Sequence, residues 1–330
     1  MGSARLPNRL PGLVLLGLVA LGANLAAAHI PGVSDLILAV AVGALISNLV
    51  GTPAWAQAGV DTHKLLLEIG IVLLGARLTL GQVLETGPLV AGLVVVVVAF
   101  GVLFIEVLSR TLFDLGERTG SLLAAGSSIC GVSAVVAVAG GIDADENEIA
   151  YAAATVLLFD AVTLVAFPIA GEGLVLSGRT FGIWVGLSMF STGPVAAAGF
   201  AHSGIAGQWA TLTKLVRNSL IGAVVLAYSV YYARSRAERA GIGELWTRFP
   251  KFVFGFLAVA ALVNLGGATA TQVASIDAAA DWLFALAFAG LGLEIRLAEM
   301  RQVGFAPVLL VLVSLVTVST LSLVAIALLF

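Results

Sequence analysis

The sequence predicts an all-α polytopic membrane protein of about eleven transmembrane helices, and three observations lead there: apolar content, the spacing of its interruptions, and the placement of cations. Of 330 residues, 60% are hydrophobic and 11% charged, with a mean hydropathy of +1.10. About a quarter of an average soluble protein is charged, so lipid must cover most of this surface. A span takes about 20 apolar residues, and roughly 10 more per connection leaves nothing for a soluble domain. Residues 1–330 therefore read as one transmembrane domain.

Apolar runs between charged or Gly/Pro breaks predict helices over 11–28, 33–50, 63–80, 87–109, 119–140, 146–170, 179–200, 206–233, 249–266, 280–297 and 304–329. Cytoplasmic loops are rich in Lys and Arg. With a cytoplasmic N-terminus, alternation puts Arg5, Arg9, Lys64, Arg110, Arg118, Arg179, Arg234, Arg236, Arg239, Arg248, Lys251, Arg296 and Arg301 inside and only Arg77 outside. The expected location is the cytoplasmic (inner) membrane, multi-pass. The first run, with Arg5 and Arg9 before Leu13 and Ala26-Ala27-Ala28 after it, has the form of a signal peptide. A first membrane helix is the preferred reading, because everything after residue 30 is also membrane-like. Residues 234–251 form the longest polar stretch and read as a cytoplasmic loop. The acidic turn Asp143, Asp145, Glu146, Glu148 falls outside, at a helix start where acids suit the dipole.

A formal charge of −3 favours neither nucleic acid nor an anionic surface as partner. The single cysteine, Cys130, and the scattered His29, His63 and His202 offer no metal pattern, so neither metal nor cofactor is expected. No G-x-x-x-x-G-K-[ST] signature is present, which excludes that nucleotide site as the energy source.

Two internal repeats stand out. Residues around Gly75 align without gaps with those around Gly292 at an offset of 217, and GSSICGVSAVVAVAG from Gly126 aligns with GLSMFSTGPVAAAG from Gly186, pairing Ser128 with Ser188. Repeats of this kind point toward secondary transporters, with the binding site at the repeat interface.

The second pair contains two helix breaks. Gly126, Ser127, Ser128, Gly131 and Ser133 interrupt the fifth span; the alternative there is small-residue helix packing. In the seventh span, Ser188, Ser191, Thr192 and Gly193 precede Pro194, which removes an N–H and clashes with the carbonyl of residue 190. A half-helix is expected to restart at Pro194 with Thr192 or Gly193 as N-cap. Such an N-terminus presents free N–H groups and suits an anion.

Lys214 and Arg217 lie inside the eighth span on one helix face, and Asp160 lies mid-way through the sixth. Each cation near mid-bilayer costs about 2.5–3.5 kcal/mol on insertion scales, so a cavity, an anion or a carboxylate must offset it. Two readings stay open: a structural ion pair with Asp160, or an anion site in which Asp160 sets the field or carries a proton. Glu68 and Glu106 sit close enough to helix ends to snorkel.

These stretches, with GIVLLGARL, ATVLLFDAVTLVAFP and LTKLVRN in order from about residue 30 onward, resemble the sulfate exporter family of uncharacterised prokaryotic membrane proteins. The resemblance implies kinship with sodium/proton antiporters and bile-acid/sodium symporters, whose inverted repeats contain two discontinuous helices crossing near the membrane centre. It implies that Ser127, Ser128, Gly131 and Ser133 lie on one crossing helix and Ser188 to Pro194 on the other. The family commonly shows Ser-Ile-His where this chain has Ser188-Met189-Phe190, and a small residue at the position of Asp160.

The expected function is secondary transport of a small inorganic or organic anion, sulfate or a sulfonate, bound by the broken-helix N-termini with Lys214 and Arg217. Protons or sodium are the candidate coupling ions, lipid is the surrounding partner, and a homodimer is left open. The alternatives are a cation/proton antiporter built on Asp160 and an intramembrane hydrolase using Ser188 with His202.

Overall fold

The computed structural model describes residues 6–29, 35–77, 80–233, 252–296 and 304–330; the loop expected over 234–251 lies outside them. The described residues are helical, without strands. Among the described residues, six helices are long and apolar enough to cross a membrane: Arg9–Ala27, Gly87–Thr111, Glu146–Gly173, Gly204–Tyr232, Ala270–Glu294 and Phe305–Leu329. Their outer faces keep large apolar side chains such as Leu18, Val96, Leu103 and Val165 exposed, which lipid tolerates and water would not.

The chain divides into two compact units. The first holds α1 (Leu6–Ala27), α2 (Asp35–Leu49), the short α3 (Ala54–Val60), α4 (His63–Leu74) with a 3₁₀ turn (Gly75–Arg77), α13 (Phe252–Asn264) and α14 (Ala270–Glu294). α3 has no counterpart among the sequence-predicted spans, and α14 begins ten residues earlier than expected. Its start is set by a capping box, in which Thr269 and Gln272 satisfy each other's backbone N–H groups.

Small residues let these helices approach closely. A Cβ added at Gly75 would meet the Phe256 carbonyl at 2.4 Å, and one at Gly292 would meet the Val40 carbonyl at 2.2 Å. These two contacts correspond to within one residue: the 217-residue offset carries Gly75 onto Gly292 and Val40 onto Leu257, next to Phe256. His63 and Lys64 at the start of α4 pair with Glu294 at the end of α14, at 3.2 and 2.7 Å.

The second unit holds α5 (Leu80–Thr111) from residue 86 onward, α6 (Glu117–Ser128), α7 (Val132–Ile142), α8 (Glu146–Gly173), α9 (Gly178–Ser188), α10 (Thr192–His202), α11 (Gly204–Ser219), α12 (Ile221–Ala233) and α15 (Phe305–Leu329). The predicted fifth and seventh spans are interrupted at Ile129–Gly131 and Met189–Ser191. Neither runs on in the same direction after its interruption, as a crossing helix would; each doubles back as a helical hairpin.

The second hairpin shows this most directly. Along α9, Gly178 faces Ser203 and Ile205, Gly182 faces Ala206 and Trp209, and Gly186 faces Ala210 and Thr213, so α9 runs parallel to α11. Along α10, Thr192 accepts a hydrogen bond from Asn218 while Gly199 faces Gly207 and Ala210, so α10 runs antiparallel to α11. The base closes where Phe181, early in α9, stacks on His202, the last residue of α10, at 4.3 Å.

In the first hairpin, a Cβ at Gly126 would meet the Val135 side chain at 2.8 Å, which brings the end of α6 against α7. Ser121 near the start of α6 meets Tyr232, and Gly141 at the end of α7 meets Ser229, so both ends of this hairpin sit beside the end of α12. The two hairpins thus approach from opposite ends of the α11–α12 rod. The 60-residue offset carries α6, α7 and α8 onto α9, α10 and the α11–α12 pair.

The half-helix expected to restart at Pro194 starts instead at Thr192, with Ser191 as N-cap. Pro194 then occupies the third helical position, where its missing N–H has no intrahelical acceptor to lose. The core of this unit gathers around the hairpins, with Leu122, Leu123, Val135, Phe159, Phe181, Leu187, Met189, Val195 and Leu310 all buried.

Candidate binding site at the hairpin tips

The tips of the two hairpins touch. A Cβ at Gly131, whose φ is +73°, would lie 1.9 Å from the Ser191 hydroxyl oxygen, so only glycine fits both the backbone and the contact. The N–H of Gly131 reaches back to the Gly126 carbonyl at 2.9 Å and closes the end of α6.

A buried helix end leaves its last carbonyls without intrahelical donors. Here α6 and α9 both end at mid-unit, and Lys214 and Arg217 of α11 supply the missing donors. Arg217 donates from Nε to Ser128 at 2.7 Å, from one terminal nitrogen to Leu187 and Met189 at 2.7 Å and more weakly to Gly186 at 3.3 Å, and from the other to Ser127 at 2.6 Å. Lys214 donates to Ile129 at 2.7 Å, to Met189 at 3.3 Å and to Phe190. Both side chains are fully buried, at 0% and 1% exposure. Cations at helix C-termini also oppose the negative ends of the dipoles.

Asp160 behaves as the complement. It forms no ion pair with either cation; its Oδ1 accepts the Ser191 N–H at 2.9 Å, at the N-terminal end of α10. Lys214 and Arg217 thus face helix C-termini, while Asp160 serves a helix N-terminus and does not form the ion pair that one of the two sequence readings allowed. The reason is that a break creates both kinds of end, and each attracts the opposite charge.

On the C-terminal side of the tips lies a cavity of about 10 Å³, roughly the space one water needs. Ser127, Ser128, Ser188, Phe190 and Arg217 line it, together with Val97 and Gly101 of α5 and Ser314, Leu315 and Val318 of α15. The hydroxyls of Ser127 and Ser188 are buried and have no hydrogen-bond partner. Of the five guanidinium N–H donors of Arg217, one on the nitrogen bound to Ser127 is left over. Lys214 has three N–H donors and three carbonyl acceptors, so it has none to spare.

Of the residues singled out from sequence, Ser127, Ser128, Ser188 and Arg217 reach the cavity. Gly131, Ser191, Thr192 and Gly193 build the tip contact and the start of α10, Lys214 braces both tips from behind, and Ser133 lies exposed on α7. Sequence reasoning missed Ser314, which sits in an unbroken apolar helix and gives no local signal.

It also missed the role of Glu106. Its Oε1 accepts from Ser121 at 2.6 Å and from Tyr228 at 2.7 Å, and its Oε2 lies 2.8 Å from Arg110, an ion contact without hydrogen-bond alignment. This cluster ties the base of the first hairpin to α5 and α12. The acidic turn is a helix start, as expected: Asp145 caps α8 in a capping box with Glu148.

The helices and their apolar exterior define a multi-pass membrane protein. Comparison with known proteins supplies the family. Residues 11–311 match the family described as Conserved hypothetical protein 698. The chain is 32% identical to a UPF0324 membrane protein of Nitratidesulfovibrio vulgaris, over 89% of this chain and 86% of the relative. It is 31% identical to the UPF0324 membrane protein TauZ of Paracoccus denitrificans, over 94% and 95% respectively, and 30% identical to one from Agrobacterium fabrum, over 95% and 91%. The chain belongs to this family of membrane proteins. No solved structure matches it.

Proposed function

We propose that this protein is a secondary transporter of a small anion in the cytoplasmic membrane, and that the anion binds between the hairpin tips. The observation that carries this reading is the cavity itself: Ser127 and Ser188, whose buried hydroxyls have no partner, line it with Arg217, which keeps one N–H spare, and no carboxylate lines it. Unmade hydrogen bonds of buried donors are costly, so a site that keeps several free is built for a guest. At about 10 Å³ the cavity has room for about one water, so a polyatomic anion such as sulfate or a sulfonate enters only when the walls separate.

Inverted repeats support the transporter reading. If the two hairpins are re-entrant, the eleven predicted segments become nine crossings, and the elements related by the 60- and 217-residue offsets then run in opposite senses through the membrane. Arg179 moves to the outer side, and the cation balance with a cytoplasmic N-terminus becomes twelve to two, still strongly inside-positive. The cation-antiporter reading has less support, because Asp160 is committed to Ser191 and lies off the cavity lining. A hydrolase has less still: His202 stacks on Phe181 at the base of the hairpin whose tip follows Ser188.

The test uses the hydroxyls rather than the cations, whose removal would strip the tips of their donors. Ser127→Ala with Ser188→Ala removes groups that have no partner in the fold, so the thermal melt should hold. In reconstituted vesicles, uptake of labelled sulfate or methanesulfonate should fall at least about tenfold, the worth of one net hydrogen bond of about 1.4 kcal/mol. Full uptake by the folded double variant would overturn the site.

A further inference from the structure

The charges around the tips do not cancel, and the remainder specifies the guest. Four half-helices meet there. α6 and α9 present C-terminal ends, each equivalent to about half a negative charge, and α7 and α10 present N-terminal ends of about half a positive charge each. The four ends together sum to zero. Among side chains, Arg217 is cationic, and the three carbonyls that face the Lys214 nitrogen offer one acceptor to each N–H of an ammonium. Asp160 accepts an N–H at the start of α10, and the positive end of that helix favours its carboxylate form.

The other elements walling the cavity add no charge: α5 contributes Val97 and Gly101, and α15 contributes Ser314, Leu315 and Val318. The remaining titratable group at the tips is the buried thiol of Cys130. Two cations against one carboxylate leave a single positive charge.

We infer that the site is matched to a monoanion, and that a dianion binds there only together with one proton, taken up by Asp160. This rests on the anion reading above and goes beyond it by fixing the charge of the guest and the origin of any proton coupling. An uncompensated charge buried at mid-membrane is expensive, so occupancy should restore neutrality. A sulfonate head group does so alone. Sulfate overshoots by one negative charge, and neutralising Asp160 removes the excess.

The experiment is isothermal titration of the purified full-length protein with methanesulfonate and with sulfate, each in two buffers of different ionisation enthalpy, which counts the protons exchanged. Methanesulfonate should bind with no proton uptake. Sulfate should bind with uptake of one proton, and its affinity should fall about tenfold per pH unit, the slope for one linked proton. Asp160→Asn keeps an oxygen acceptor for Ser191 but removes the negative charge; it should abolish proton uptake and bind sulfate more tightly than methanesulfonate. Sulfate binding to the unaltered protein without a proton would overturn the charge match while leaving an anion site in place. Proton uptake that persists in Asp160→Asn would overturn the assignment to Asp160. Binding of neither anion would instead overturn the anion reading itself.

Discussion

The first hairpin turns at Gly131, where φ is +73° and a missing side chain makes room for Ser191. The second turns through Met189 and Ser191, both in ordinary extended conformations, and then relies on groups that are present: the Asp160 carboxylate on the Ser191 N–H and Pro194 in the first turn of α10. One tip is made by absence and the other by attachment. They therefore fail by opposite substitutions, one by adding atoms and the other by removing them.

Adding a methyl group at the first tip has the largest expected effect. Gly131→Ala places a residue in backbone space that strains any L side chain, at about 1–3 kcal/mol, and drives its Cβ into the Ser191 hydroxyl. Since Ser191 belongs to the other tip, the damage passes between hairpins. The thermal melt of the purified variant should drop by several degrees, and anion binding should be lost with it. An unchanged melt would mean that the tips do not meet as described.

Removing the attachment at the second tip comes next. Asp160→Ala leaves the Ser191 N–H without its acceptor, and loss of a helix cap costs about 0.5–2 kcal/mol. Asp160→Asn should recover most of that stability, because the amide oxygen can still accept. Equal destabilisation by both variants would assign the effect to charge rather than to the cap.

The two breaks were legible in the sequence, since Gly126 to Ser133 and Ser188 to Pro194 are the places where apolar periodicity yields to small and helix-breaking residues. What happens after each break was not. A chain that continues and a chain that doubles back share the same composition, and about 22 residues, the length of each predicted span, suit either one span or two half-helices. The decisive contact, Phe181 on His202, joins residues about twenty apart and leaves no trace in periodicity.

One signal was available. The 60-residue offset relates segments separated by a single long helix, and two such segments would point the same way through a membrane if both crossed it; if each doubles back instead, the two would point opposite ways. Lys214 and Arg217 were correctly placed on one face, but their partners are main-chain carbonyls, which every residue carries and no sequence pattern marks. Charge alone does not reveal that the same breaks create helix ends for these cations to serve.

Pro194 gives the smallest effect and the sharpest contrast with Gly131. Proline in the middle of a helix would cost about 3 kcal/mol, and its replacement would then stabilise the protein. At the third position of α10 its ring meets no carbonyl of a preceding turn, because the chain before Thr192 is extended. Its contribution is instead to limit the freedom of the unfolded chain. Pro194→Ala should therefore lower stability by only about 0.4–1 kcal/mol and leave anion binding within twofold. A gain in stability would show that proline is strained there, and that the second tip, like the first, is held against the preference of its backbone.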